Sequence, residues 1–142
     1  MTQEQKDLLV RDLCGRLSHG VKCRILGTTE VKILGSIQYD GENTLFDFWE
    51  DDQKIQYGYQ LYLSGFRPYL FPLSSMTEEQ LYNNPIGFVQ MGTIKADRDW
   101  GNITINRRAY YKLVDWFNKN HFDYRGLIPM GLAIDATGLN IY

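Results

Sequence analysis

Asn106-Arg-Arg-Ala-Tyr-Tyr-Lys-Leu-Val-Asp-Trp-Phe-Asn-Lys-Asn120, followed at once by His121-Phe-Asp-Tyr-Arg-Gly-Leu-Ile128, is the stretch whose reading decides the fold. Ala109, Leu113, Trp116 and Phe117 recur at steps of three and four, and Tyr110 and Val114 widen the stripe. That spacing predicts an amphipathic helix. Asn106 suits its N-cap, because the side-chain oxygen can accept an orphan amide proton of the first turn. Asn120 suits its end, because asparagine tolerates the left-handed conformation that closes many helices. This is the bulkiest apolar face in the chain, so a sheet is expected to pack on it, with Leu113 and Trp116 buried.

The remaining elements follow outward from that helix. Residues 2–18 predict a first helix: Thr2 with Gln5 forms a capping box, and Leu9, Val10, Leu13, Cys14 and Leu17 form one apolar stripe. Val21–Ile25 alternates as a half-buried strand does. Val31–Tyr39 alternates again, with Val31, Ile33, Ile37 and Tyr39 on one side and Gly35 marking a bulge or bend. Asp40-Gly41 is a turn, Thr44–Trp49 a third strand, and Glu50–Gln53 a second turn. Ile55–Leu63 reads as the fourth strand, with Ile55, Tyr57, Tyr59, Leu61 and Leu63 on one face. Arg67-Pro-Tyr-Leu-Phe-Pro-Leu73 is extended, and its prolines argue against a central strand. Thr77 with Gln80 starts a short helix, Ile86–Met91 suggests a fifth strand, and Gly92–Asn102 a polar loop. The expected fold is α+β: a twisted antiparallel meander or small open barrel of four to five strands, flanked by an N-terminal and a C-terminal helix. With 142 residues and no linker, residues 1–142 read as one domain.

Composition narrows the function classes. Net charge is −2, which gives no global pull toward nucleic acid or an anionic membrane. No apolar run approaches a bilayer span and no signal-peptide core is present, so a cytoplasmic location is expected. Cys14 and Cys23 give no disulfide framework. A metal site would draw on Cys14, His19, Cys23 and His121, but no two of these have zinc-ligand spacing, and both cysteines fall on expected core faces. Buried reduced thiols, no metal and no cofactor are expected. There is no glycine-rich phosphate loop, nucleophile elbow or zinc-protease helix.

Three constellations remain. His121, Asp123 and Arg125 bring an imidazole, a carboxylate and a guanidinium together just past a helix end, with Asp135 more remote; a small enzyme could use them for proton transfer or anion binding. The plainer reading is that Asp123 caps the next turn, Arg125 pairs with a carboxylate, and His121 complements the helix C-terminus. Residues 40–52 hold six acidic side chains and no basic one, interleaved with Phe46, Phe48 and Trp49. Residues 95–125 hold seven Lys or Arg against four Asp, with Arg107, Arg108 and Lys112 on the key helix.

The run Leu8–Leu17 with Gly20-Val-Lys22, the run Arg67-Pro-Tyr-Leu-Phe-Pro-Leu-Ser-Ser-Met-Thr-Glu-Glu79, and Asp115–Ile128 with Gly131-Leu-Ala-Ile-Asp-Ala136 together resemble a family of small, uncharacterised proteins of gut Bacteroidetes and their phages and mobile elements. The resemblance implies a cytosolic, phage or mobile-element setting and assigns no site. The favoured reading is a non-enzymatic protein-interaction module using aromatics exposed on the sheet (Trp49, Tyr57, Tyr59, Tyr62), with a protein partner or self-association. The alternatives are a nucleic-acid-binding accessory protein using Arg107, Arg108 and Lys112, and an enzyme built around His121, Asp123 and Arg125.

Overall fold

The computed structural model describes residues 1–49, 59–87, 91–92, 94–95 and 105–142. The expected turn at Glu50–Gln53, the first part of the Ile55–Leu63 strand with Tyr57, the side chain of Tyr59, and most of the 92–102 loop lie outside the described residues. Helix α1 (Gln3–Arg16) opens on the expected capping box, in which Gln5 N donates to Thr2 Oγ1 at 3.2 Å and Thr2 N to Gln5 Oε1 at 2.9 Å. Strands β1 (Lys22–Ile25), β2 (Val31–Tyr39), β3 (Thr44–Trp49), β4 (Tyr59–Tyr62) and β5 (Phe66–Leu70) follow. Helices α2 (Glu78–Tyr82) and α3 (Arg107–Lys119) and the short strand β6 (Ile134–Asp135) complete the order. The sheet runs β4-β3-β2-β1-β5-β6 and is antiparallel except for β5 with β6. It is an open α+β sheet, not a closed barrel.

Two details of the sheet correct the sequence reading. On β2 the buried residues are Lys32 and Leu34, whereas Val31 is exposed and Ile33 half-buried. The register with β3 shifts between Leu34 and Ser36, so the bulge at Gly35 puts Leu34 and Ile37 on the same side. Gly35 is required there, because a Cβ would come within 2.2 Å of the Trp49 indole. The second correction is Pro68, which lies in β5 between β1 and β6. β6 pairs only with Tyr69 and Leu70, so the missing amide of Pro68 falls outside that ladder.

The helices divide between two apolar clusters. Leu9 and Leu13 of α1 pack with Cys23, Leu34, Phe46, Phe48 and Phe66 of the sheet, where the Phe66 ring lies 5.1 Å from that of Phe46 and 4.7 Å from that of Phe48. The buried side of α1 is Leu9, Asp12, Leu13 and Arg16, so Cys14 is an exposed thiol rather than a core one. The sheet is not what α3 packs on. Its Leu113 and Phe117 join a second cluster with Leu73, Met76, Leu81, Met91, Ile94, Phe122 and Tyr124. Trp116 is half-buried at the edge of that cluster, stacked on Phe122 at 5.5 Å, instead of central to it. The expected strand at Ile86–Met91 is absent among its described residues: Met91 is helical and its amide bonds to the Gly87 carbonyl.

The clusters meet where the chain leaves β5. Phe71 N donates to the His121 carbonyl at 2.9 Å, and Asp123 N donates to the Phe71 carbonyl at 2.7 Å. Because Phe117 is fully buried and Trp116 is not, Phe117→Ala is expected to cost about 3–5 kcal/mol in denaturant unfolding and Trp116→Ala clearly less. Equal losses would contradict this placement of α3.

Candidate functional site

Past the end of α3 the chain turns sharply, and five of the six buried polar residues among the described ones belong to the last turn of α3, to this bend or to α1. Asn118, His121 and Asp123 are buried polar residues on the described chain, alongside Asp12 and Arg16 of α1. Arg16 is fully buried and donates from Nε to Asp12 Oδ2 at 2.6 Å and from Nη2 to Asp12 Oδ1 at 3.0 Å. The same Nη2 donates to the Phe122 carbonyl at 2.7 Å. Arg125 brings a second guanidinium, with Nε 3.3 Å from Asp12 Oδ1. That Nε makes no directed hydrogen bond, so the contact is an ion pair by charge alone. Tyr124 lies between the two cations, its ring 5.5 Å from the Arg16 guanidinium and 4.8 Å from that of Arg125.

Asp123 does what the plainer sequence reading expects. Its Oδ1 accepts from Leu127 N and its Oδ2 from Ile128 N, both at 2.8 Å, and Gly126 takes a positive φ to close the turn. Burial nevertheless holds the Asp123 carboxyl above the usual carboxylate range, outweighing the two amides, and the nearby Asp12 charge pushes the same way. Beside this turn is a hollow of about 440 Å³. Asp123, Tyr124 and Arg125 line it together with Pro72, Ser74 and Asp135. Three of the four groups singled out in the sequence therefore converge. Both Asp123 oxygens hold the turn, Arg125 balances Asp12, and Asp135 Oδ1 accepts from Thr137 N at 2.8 Å.

His121 does not line the hollow. It adopts φ 57° and stacks on Tyr142, ring centroids 3.9 Å apart and planes 11° from parallel. The Tyr142 hydroxyl accepts from Lys22 N and donates to the Tyr69 carbonyl, so the imidazole helps clamp the last residue across β1 and β5. The expectation of a cation at the helix C-terminus is corrected. Burial, reinforced by the positive charges of Arg16, His19 and Lys22, lowers the His121 pKa from 6.5 to about 4, and the ring is neutral near pH 7.

The other candidates lie elsewhere. On the side of the sheet away from α1, Val31, Ile33 and Trp49 form one apolar patch and Leu45 with Tyr62 a second beyond Asp47; among the described residues they join neither cluster, and Tyr62 is 58% exposed. Phe46 and Phe48 of the acidic stretch point into the core, and Asp47 is held by Ser36 Oγ and Gln38 Nε2. Arg107, Arg108 and Lys112 are all exposed on α3. Among the described residues, no three His, Cys, Asp or Glu side chains gather where they would hold a metal ion, and no helix is long and apolar enough to cross a membrane. The sequence reading missed Asp12 and Arg16. Their signal is two opposite charges four apart, in phase with Leu9 and Leu13 on one helix face.

The His121 shift fixes a sign for pH dependence. Between pH 6.5 and 4 the unfolded chain takes up a proton that the folded imidazole refuses, so this stabilisation is complete above about pH 6.5 and is lost as pH falls through that window. Unfolding measured across that range should show His121→Phe removing a slope of up to about 1.4 kcal/mol per pH unit. An unchanged slope would contradict the buried neutral ring. Compared with known proteins, the chain matches no family model, no curated protein and no solved structure.

Proposed function

We propose that the protein is a non-enzymatic interaction module that self-associates through the side of its sheet that faces away from α1. The observation that carries this reading is the pair of outward apolar patches, Val31, Ile33 and Trp49 between Arg24 and Asp47, and Leu45 with Tyr62 beyond Asp47. Arg24 lies beside Val31 in the β1–β2 register, and Asp47 lies beside Ser36 in the β2–β3 register. Ile33 and Trp49 pair between them.

A patch of this pattern is complementary to itself. A two-fold axis lying in the contact plane midway between Arg24 and Asp47 sets each Arg24 against the other copy's Asp47. It also sets the apolar centre against its own counterpart. Closed two-fold pairing is the commonest arrangement of soluble oligomers. Exposed apolar side chains ringed by polar ones are what the centre of an interface requires. One sheet face is small for a stable interface, so the association is of micromolar strength. The local bonds already held by Asp123, Arg125 and Asp135 weigh against the enzyme alternative. The resemblance noted above adds a phage or mobile-element setting.

Mass measured in solution over a concentration series tests this. The wild-type chain should pass from monomer to dimer in the range of about 1–100 µM. Val31→Glu and Arg24→Glu, both at exposed positions, should each abolish the dimer while leaving the stability of the monomer within about 0.5 kcal/mol of wild type, as surface changes do. A wild-type chain that stays monomeric at millimolar concentration would overturn the proposal.

A further inference from the structure

Independently of the sheet face, the outward side of α3 carries a second surface whose chemistry differs. At 100° per residue, Arg107, Arg108, Tyr111, Lys112, Asp115 and Lys119 occupy one arc of the helix, opposite Leu113 and Phe117. All six are exposed. Four are cations, and the one carboxylate, Asp115, lies 3.3 Å from His19 Nε2. Tyr111 is 58% exposed in the middle of this arc, and the Arg107 guanidinium lies 5.7 Å from its ring centroid. A shallow groove of about 350 Å³ runs alongside, lined by Pro85, Asn106, Arg108, Ala109 and Lys112.

We propose that this side of α3 binds single-stranded nucleic acid without base preference. Arg107, Arg108 and Lys112 would meet successive phosphates, and Tyr111 would take an unpaired base on its ring face. Three features choose this partner. The cations stand on one face of a chain whose net charge is −2, so the attraction is local and directed. The exposed ring among them suits a base, which every nucleotide offers, better than it suits a carboxylate-rich protein. A duplex keeps its bases stacked internally and would leave Tyr111 with nothing to stack on. The sequence stripe counted Tyr110 as core, whereas the structure leaves it 45% exposed beside Tyr111, ring centroids 6.1 Å apart, so the aromatic surface is wider than the periodicity suggests.

With about three phosphates neutralised, log affinity falls with log salt at a slope near −2 for a single strand. The experiment is fluorescence anisotropy of the full chain with a labelled oligothymidylate of about fifteen nucleotides. A mixed-sequence duplex and inorganic polyphosphate serve as competitors. Binding at about 50 mM salt should weaken roughly twentyfold by 200 mM. Arg108→Ala with Lys112→Ala should weaken it more than about tenfold. Tyr111→Ala should weaken it at least about fivefold, and Tyr111→Phe, which keeps the stacking face, should restore it. All of these positions are exposed, and far-UV circular dichroism checks that each variant is folded. Absence of binding at 50 mM salt would overturn the proposal. So would indifference to Tyr111→Ala, or equal competition by duplex or polyphosphate, because each reduces the surface to a generic polyanion contact.

Discussion

The structure depends on the buried pair of Asp12 and Arg16. Taking a guanidinium fully out of water costs several kcal/mol unless its charge and its donors are met, and a carboxylate has the same requirement. Here Asp12 meets the charge with both oxygens, and the Phe122 carbonyl takes a further donor. Arg125 then approaches Oδ1 of the same carboxylate. The pair therefore does more than close one turn of α1. It fixes the sheet cluster, through Leu9 and Leu13, to the residues that follow α3 and enter the second cluster, through Phe122 and Tyr124. Arg16 Nη1 has no hydrogen-bond partner, so the site is held by geometry around one carboxylate and tolerates little displacement.

Local signals were legible in the sequence; signals that depend on distant partners were not. The capping boxes at Thr2–Gln5 and Thr77–Gln80 and the Asn106 cap are complete within four residues, and each forms as read. The phase of the α1 stripe was misjudged because Arg16 looks like a surface residue until Phe122 arrives, 106 residues later. The apolar stripe of α3 declared that a face is buried but not what buries it. Leu113 and Phe117 chose Leu73, Met76 and Leu81 over the sheet. On β2 a one-residue bulge at Gly35 exchanged the two faces, as any slip in a period-two pattern must. The candidate site was half legible: Asp123 and Arg125 adopt the capping and pairing roles read for them, and Asp135 joins them through β6, which pairs with β5 in parallel. The stack of His121 on Tyr142 had no local signal at all.

The two proposed surfaces share a physical origin. Since α1 covers one side of the sheet and α3 is committed to the second cluster, the apolar patches on the sheet's other side join neither cluster among the described residues, and α3 keeps its charged arc turned outward. The hollow lined by Asp123, Arg125 and Asp135 forms where the two clusters are joined, and its polar groups serve that junction. Function is therefore expected at the faces the packing leaves over, rather than at the buried charges.

Asp12 and Arg16 couple the two clusters. Of the three tryptophans, Trp49 lies in β3, the strand whose Phe46 and Phe48 enter the sheet cluster, and Trp116 lies at the edge of the second cluster, so Trp49 can report unfolding of the sheet and Trp116 that of the second cluster when the other two are replaced by Phe. Denaturant unfolding followed through these two reporters, with and without Asp12→Asn, is the most direct test. The predicted result is coincident unfolding in the parent chain. In the variant, stability should fall by about 3–5 kcal/mol, the cost of stranding a buried charge, and the two transitions should separate. Coincident transitions with an unmoved midpoint in the Asp12→Asn chain would contradict it.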